Sequence, residues 1–196
     1  MKFSQKEKKD LFYAGLMISL AFAILFSGGF GGFLNTGFLI IFLISFFTAG
    51  IGFLFHEMMH KYVAQNYGFF AEFRASYKML WLAILFSFFG FIIAAPGAVF
   101  IKGLITKEKN GKISMAGPLT NLVLAFIFLI LIFTLNTQGI FGAFLSFGLT
   151  INSLLAAFNM IPSIPFDGKK VYDWDKKIYF SITALAVGLF ILSWFV

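Results

Sequence analysis

The chain has no cysteine, so neither a disulfide framework nor a thiolate metal site is open to it, and any transition-metal centre must be built from histidine and carboxylates. Charge is scarce as well. Charged residues are 12% of the 196, against about a quarter in soluble domains, while 60% are hydrophobic. That balance excludes an ordinary soluble domain and implies a membrane protein. Arginine is nearly absent, and the formal charge of +7 rests on lysine. Because the lysines fall in short loops beside apolar runs, they report orientation in a membrane and give no support to a nucleic-acid partner. No small-residue cleavage site follows Phe26 before further apolar runs begin. The basic N-terminus and the run after it therefore read as a retained first span and not as a signal peptide.

What the chain does have is a series of apolar runs, at 11–26, 37–67, 113–135, 140–161 and 178–196. Each approaches or exceeds the roughly 20 residues that cross about 30 Å of hydrocarbon. All should be helices, because lipid tolerates no unpaired backbone. A sixth run, 79–101, is interrupted by Gly90 and by Ala94-Ala95-Pro96-Gly97, which stops a helix. Charge decides how to read it. The loops 27–36 and 136–139 contain no basic residue, and all fifteen Lys and Arg become cytoplasmic if 79–101 dips into the membrane and returns to the side it left. A full crossing would strand four lysines, Lys102, Lys107, Lys109 and Lys112, on the other side. The expected architecture is an all-α polytopic membrane protein of five to six transmembrane helices. It carries a re-entrant or interfacial segment with a short β-strand or hairpin, in one membrane-embedded domain over 1–196.

The two histidines of the chain, His56 and His60, stand four residues apart with Glu57 beside the first, in the sequence HEMMH. On a helix, positions four apart lie about 40° from one another, so both imidazoles can reach one ion. Two neutral imidazoles suit Zn²⁺, which lowers the pKa of water towards about 7, and an adjacent carboxylate can take the proton released. Ionisable residues clustered in an apolar span ask for a function. Met58 and Met59, like the 31 phenylalanines, read as packing residues.

Two imidazoles leave the site incomplete, and the acids outside HEMMH are Glu7, Asp10, Glu72, Glu108, Asp167, Asp173 and Asp175. Most lie in charged stretches expected to be solvated. Asp167 differs, because Pro162 and Pro165 end the run before it and impose a stiff non-helical turn. The stretch Asn159-Met160-Ile161-Pro162-Ser163-Ile164-Pro165-Phe166-Asp167-Gly168, together with HEMMH on an earlier span, resembles the site-2 protease family of intramembrane zinc metalloproteases. Gly117-Pro118-Leu119-Thr120-Asn121 looks like that family's third core helix. The resemblance covers 37–172 and is that of a short form without a PDZ-type domain. Lys169 departs from it, standing where many members carry a second glycine after Asp-Gly.

The resemblance implies Asp167 as the third zinc ligand beside His56 and His60, and Glu57 as general base on the water that the ion polarises. It also implies that Asn159 binds the substrate carbonyl or oxyanion. Asn121 reads either as a residue behind the ligands or as a structural amide of its helix. His56 and Asp167 must then lie at similar depth, near the cytoplasmic ends of their spans, which agrees with the charge rule. The expected partners are a transmembrane protein or peptide substrate and the lipid bilayer. The expected location is the cell membrane, with the N-terminus and the active-site side cytoplasmic. Residues 98–105 read as strand-like and suited to pairing with an extended substrate, and 11–26 as a candidate gate for lateral entry. A zinc transporter would show a polar path across the bilayer, and an inactive scaffold would lack Glu57; the sequence favours neither.

Overall fold

A computed structural model describes residues 1–92 and 96–196. The expected helix stop thus falls partly, at Ala94 and Ala95, outside the described residues. The first helix, α1 (Gln5–Phe26), begins six residues before the apolar run. Ser4 and Glu7 form the first half of a capping box, with the Glu7 N–H donating to the Ser4 hydroxyl at 3.1 Å, so the charged turn is helical too. A four-residue helix α2 (Phe30–Phe33) follows. Then α3 (Phe38–Ser45), a π-helical turn (Phe46–Gly50) and α4 (Ile51–Asn66) form one stretch of 29 residues. Later come α5 (Tyr77–Ser87), α6 (Lys107–Leu135), α7 (Gly139–Asn159), α8 (Asp167–Trp174) and α9 (Lys176–Leu192). Helix α6 also starts six residues early, because Thr106 caps it by accepting the Lys109 N–H.

Among the described residues, four stretches are long and apolar enough to cross a membrane: Gln5–Phe26, Phe38–Asn66, Lys107–Leu135 and Gly139–Asn159. The chain is a membrane protein. The run 178–196 yields only the 17-residue α9, about 26 Å long, because the chain leaves the helix after Leu192.

The described residues form two compact units. In the first, residues 1–54 and 72–100, α1 packs on α3, the π turn and α5, with Ala21, Ile24, Ala83 and Ile84 buried between α1 and α5. Gly50 faces Ser19 so closely that a methyl group there would collide with the hydroxyl. Glu7 and Asp10, expected to be solvated, are both buried. A Glu7 oxygen accepts the Phe73 N–H at 2.9 Å, and Tyr77 donates its hydroxyl to Asp10 at 2.8 Å. Arg74 approaches Glu72 at 2.8 Å and Asp10 at 3.9 Å. Burial and the hydrogen bond to Asp10 push the Tyr77 hydroxyl up to about 12.

Strands β1 (Phe70–Ala75) and β2 (Gly97–Lys102) form a two-stranded sheet. They run antiparallel, with the Ser76 N–H donating to the Pro96 carbonyl at 2.9 Å at one end and Lys102 over the Phe70 ring at the other. Helix α5 leaves from this closure, and its 11 residues cover about 16 Å, half of a hydrocarbon core. Gly90, at φ +87, turns the chain after it, and Pro96 lies back beside the start.

The second unit is residues 55–71 and 101–196. Its core is Leu122 and Ala125 of α6, Leu149 and Ala156 of α7, Val171 of α8, and Tyr179, Ile182, Ala186 and Leu189 of α9. Gly148 lets α7 lie against Phe128 of α6, where a Cβ would strike the ring. Lys61, counted among the loop cations, is 2% exposed inside this unit, as a residue of α4.

Candidate metal centre

Helix α4 carries His56 and His60 one turn apart, as the spacing requires, and both are buried. Their rings stand edge to face with centroids 4.7 Å apart, and their Nε2 atoms are separated by 3.0 Å. Asp167 arrives from the turn that ends α7. Its Oδ2 lies 3.3 Å from Nε2 of His56 and 3.0 Å from Nε2 of His60. Asp167 opens α8, where a helix N-terminus favours a carboxylate. Gly168 explains the close approach, since a Cβ there would run into the Met160 backbone at the end of α7. Oδ1 of Asp167 faces Lys170 at 3.6 Å.

The hydrogen bonds behind the rings assign their protons. Nδ1 of His60 faces the Ile113 carbonyl at 2.7 Å; a carbonyl only accepts, so Nδ1 carries the proton, and in the neutral imidazole Nε2 is then bare. Nδ1 of His56 faces Oδ1 of Asn121 at 2.6 Å. Asn121 Nδ2 donates to Asn152 Oδ1 at 3.0 Å, and Asn152 Nδ2 donates to the Gly148 carbonyl at 2.9 Å. That line ends on another carbonyl, which fixes both amides, and so His56 too is protonated at Nδ1 and bare at Nε2.

With both rings neutral, three atoms that can only accept, two Nε2 and one carboxylate oxygen, converge within 3.0–3.3 Å. Without a shared cation such an arrangement is repulsive. The spacing fits zinc, since ligands about 2.0–2.1 Å from a tetrahedral ion lie about 3.3 Å from one another. Backing of Nδ1 by a carbonyl or amide oxygen is how zinc-binding imidazoles are usually oriented. Gly117 of α6 leaves the space, because a Cβ there would lie against Nε2 of both histidines. Pro118, which cannot donate to the preceding turn, loosens α6 beside the turn from which Ile113 offers its carbonyl.

Among the described residues, the group of metal-capable side chains whose donor atoms lie within 4.8 Å of one another is His56, His60 and Asp167. Glu57 is buried and outside that group, with His56, Asp167 and Lys170 as its ionisable neighbours. Asn159 also stays outside, its Nδ2 donating to the Leu155 carbonyl at 2.9 Å in its own helix. Asn121 lies behind His56, its Oδ1 facing Nδ1 of that ring. Asn152 was missed; the signal for it was an amide amid the apolar residues of α7, where a buried polar group needs partners.

No protein-family model matches the chain, and no solved structure matches it. Two curated proteins of Methanocaldococcus jannaschii do. The chain is 42% identical over 197 aligned positions to "Putative zinc metalloprotease MJ0611", covering 98% of each chain. It is 30% identical over 134 positions to "Zinc metalloprotease MJ0392", covering 67% of this chain and 34% of that longer protein. With a full-length relative at that identity and a donor set that fits the ion, the chain belongs to a family of zinc metalloproteases, and zinc is its cofactor.

Proposed function

We propose that the chain is an intramembrane metalloprotease of the site-2 type and that residues 1–196 act as one membrane-embedded protease domain. It hydrolyses peptide bonds within or beside the transmembrane segments of other membrane proteins. The observation that carries this reading is the convergence of Nε2 of His56, Nε2 of His60 and Oδ2 of Asp167 on one point beside a long apolar helical stretch. His56 lies ten residues before the end of α4, so about 15 Å along the helix axis from that end.

His56, His60 and Asp167 would hold the zinc ion, which would supply Lewis-acid chemistry and make water a nucleophile near neutral pH. Glu57 takes the proton of the attacking water and returns it to the leaving amine. Asn159 has a second amide N–H beyond the one given to Leu155, and we assign it to the substrate carbonyl. A substrate helix must unwind to expose its scissile carbonyl. The short α5 and the hydrogen bond from Ser76 to Pro96 support a re-entrant 79–101, and with it a cytoplasmic N-terminus and active-site side in the cell membrane.

The test is cleavage of a single-span protein in proteoliposomes by the purified chain, by Glu57→Gln and by chelated enzyme, with the cut mapped by mass spectrometry. The expected result is a cut inside or next to the span, lost on chelation and reduced by about 10² to 10⁴ in Glu57→Gln, which keeps its zinc. Unchanged cleavage by Glu57→Gln, or cuts confined to distant soluble segments, would overturn the proposal.

A further inference from the structure

The hydrogen-bonded line behind His56 extends one residue beyond what orienting the ring by a single neighbour would need. Asn121 alone is ambiguous. Its oxygen and nitrogen ends are nearly equal in shape, and the flipped amide would present N–H groups to Nδ1 of His56. Nδ1 would then be the acceptor and the ring proton would sit on Nε2, where it excludes a metal. Asn152 removes that ambiguity. It is 1% exposed, and its Oδ1 can only accept, so Nδ2 of Asn121 must point to it and Oδ1 of Asn121 to His56. Asn152 in turn cannot flip, because its own Nδ2 meets the Gly148 carbonyl at 2.9 Å, one turn earlier in α7. All four residues lie in one compact unit.

We propose that Asn152 is a positioning residue for zinc: it touches neither the ion nor His56, but by fixing the Asn121 amide it sets the His56 tautomer and so the affinity of the site. This rests on the reading of His56 as a zinc ligand. Partners behind a ligating histidine typically change metal affinity by about 10- to 100-fold, and one step further back the lower end of that range applies.

The experiment is zinc affinity at neutral pH by competition with a chromophoric chelator, on the purified full chain in detergent, with the zinc-free melting temperature as the control for folding. Asn152→Leu is expected to bind zinc about tenfold more weakly than the unaltered chain. Asn152→Asp, which still offers Asn121 an acceptor, is expected to stay within about threefold. The decisive arm is the cycle with Asn121→Asp. A carboxylate at 121 presents only oxygen to His56, so adding Asn152→Leu in that background should change affinity by less than about twofold. If Asn152→Leu does not purify folded, Asn152→Ala takes its place with the same expectation. Unchanged affinity in Asn152→Leu, or an equal loss in both backgrounds, would overturn the proposal and leave Asn152 as packing between α6 and α7. A chain that takes up no zinc, or a His56→Ala variant with undiminished affinity, would instead overturn the ligand reading itself.

Discussion

Replacing Gly117 by alanine adds one methyl group at the point where the ion belongs. The new Cβ would lie 2.5 Å from Nε2 of His56 and 2.6 Å from Cε1 of His60, and closer still to Nε2 of His60. Unstrained contact needs about 3.5 Å, so the rings and α6 must separate by about 1 Å. Metal–ligand distances tolerate only about 0.2 Å, and the required shift is several times larger. Affinity should therefore fall beyond the roughly 100-fold seen on losing an outer hydrogen-bond partner. The fold should survive, because alanine stabilises a helix by about 1 kcal/mol relative to glycine and partly offsets the local strain. The assay is zinc per purified chain after dialysis, with chelator competition and a melting curve. Near-stoichiometric zinc at unaltered affinity in Gly117→Ala would refute the placement of the ion between these rings.

Two further expectations concern the other unit and the topology. Tyr77 has its hydroxyl held at about 12 in the fold against 10.0 when free, so its contribution is full below pH 10 and is lost as pH rises through 12. Tyr77→Phe should flatten that alkaline decline in melting temperature, and an identical decline in both proteins would refute the link to Asp10. A single cysteine introduced as Lys107→Cys should react with a membrane-impermeant maleimide only after the cytoplasmic side is opened; labelling of intact cells would overturn the re-entrant reading of 79–101.

Identity and spacing made the site legible where its logic is local. HEMMH needs only a helix to bring His56 and His60 together, and α4 supplies it. Asp167 stood out because two prolines forbid the helix before it, and the structure places its carboxylate beside both rings. What sequence could not supply was partnership across helices. Glu7 and Asp10 look like a solvated charged turn, yet Phe73 and Tyr77, more than sixty residues away, make them buried acceptors. Asn152 is invisible for the same reason, since its meaning comes from Asn121 on another helix. Helix starts were misplaced because an apolar run does not register a charged first turn, whereas the caps at Ser4 and Thr106 do.

The most direct test of the centre is X-ray absorption at the zinc edge of the zinc-loaded chain and of Asp167→Ala. The structure predicts one zinc per chain with two imidazole nitrogens at about 2.0–2.1 Å and carboxylate oxygen at about 2.0–2.2 Å, and weakened binding with an altered shell in Asp167→Ala. An Asp167→Ala protein that keeps both the same shell and the same affinity would contradict the account.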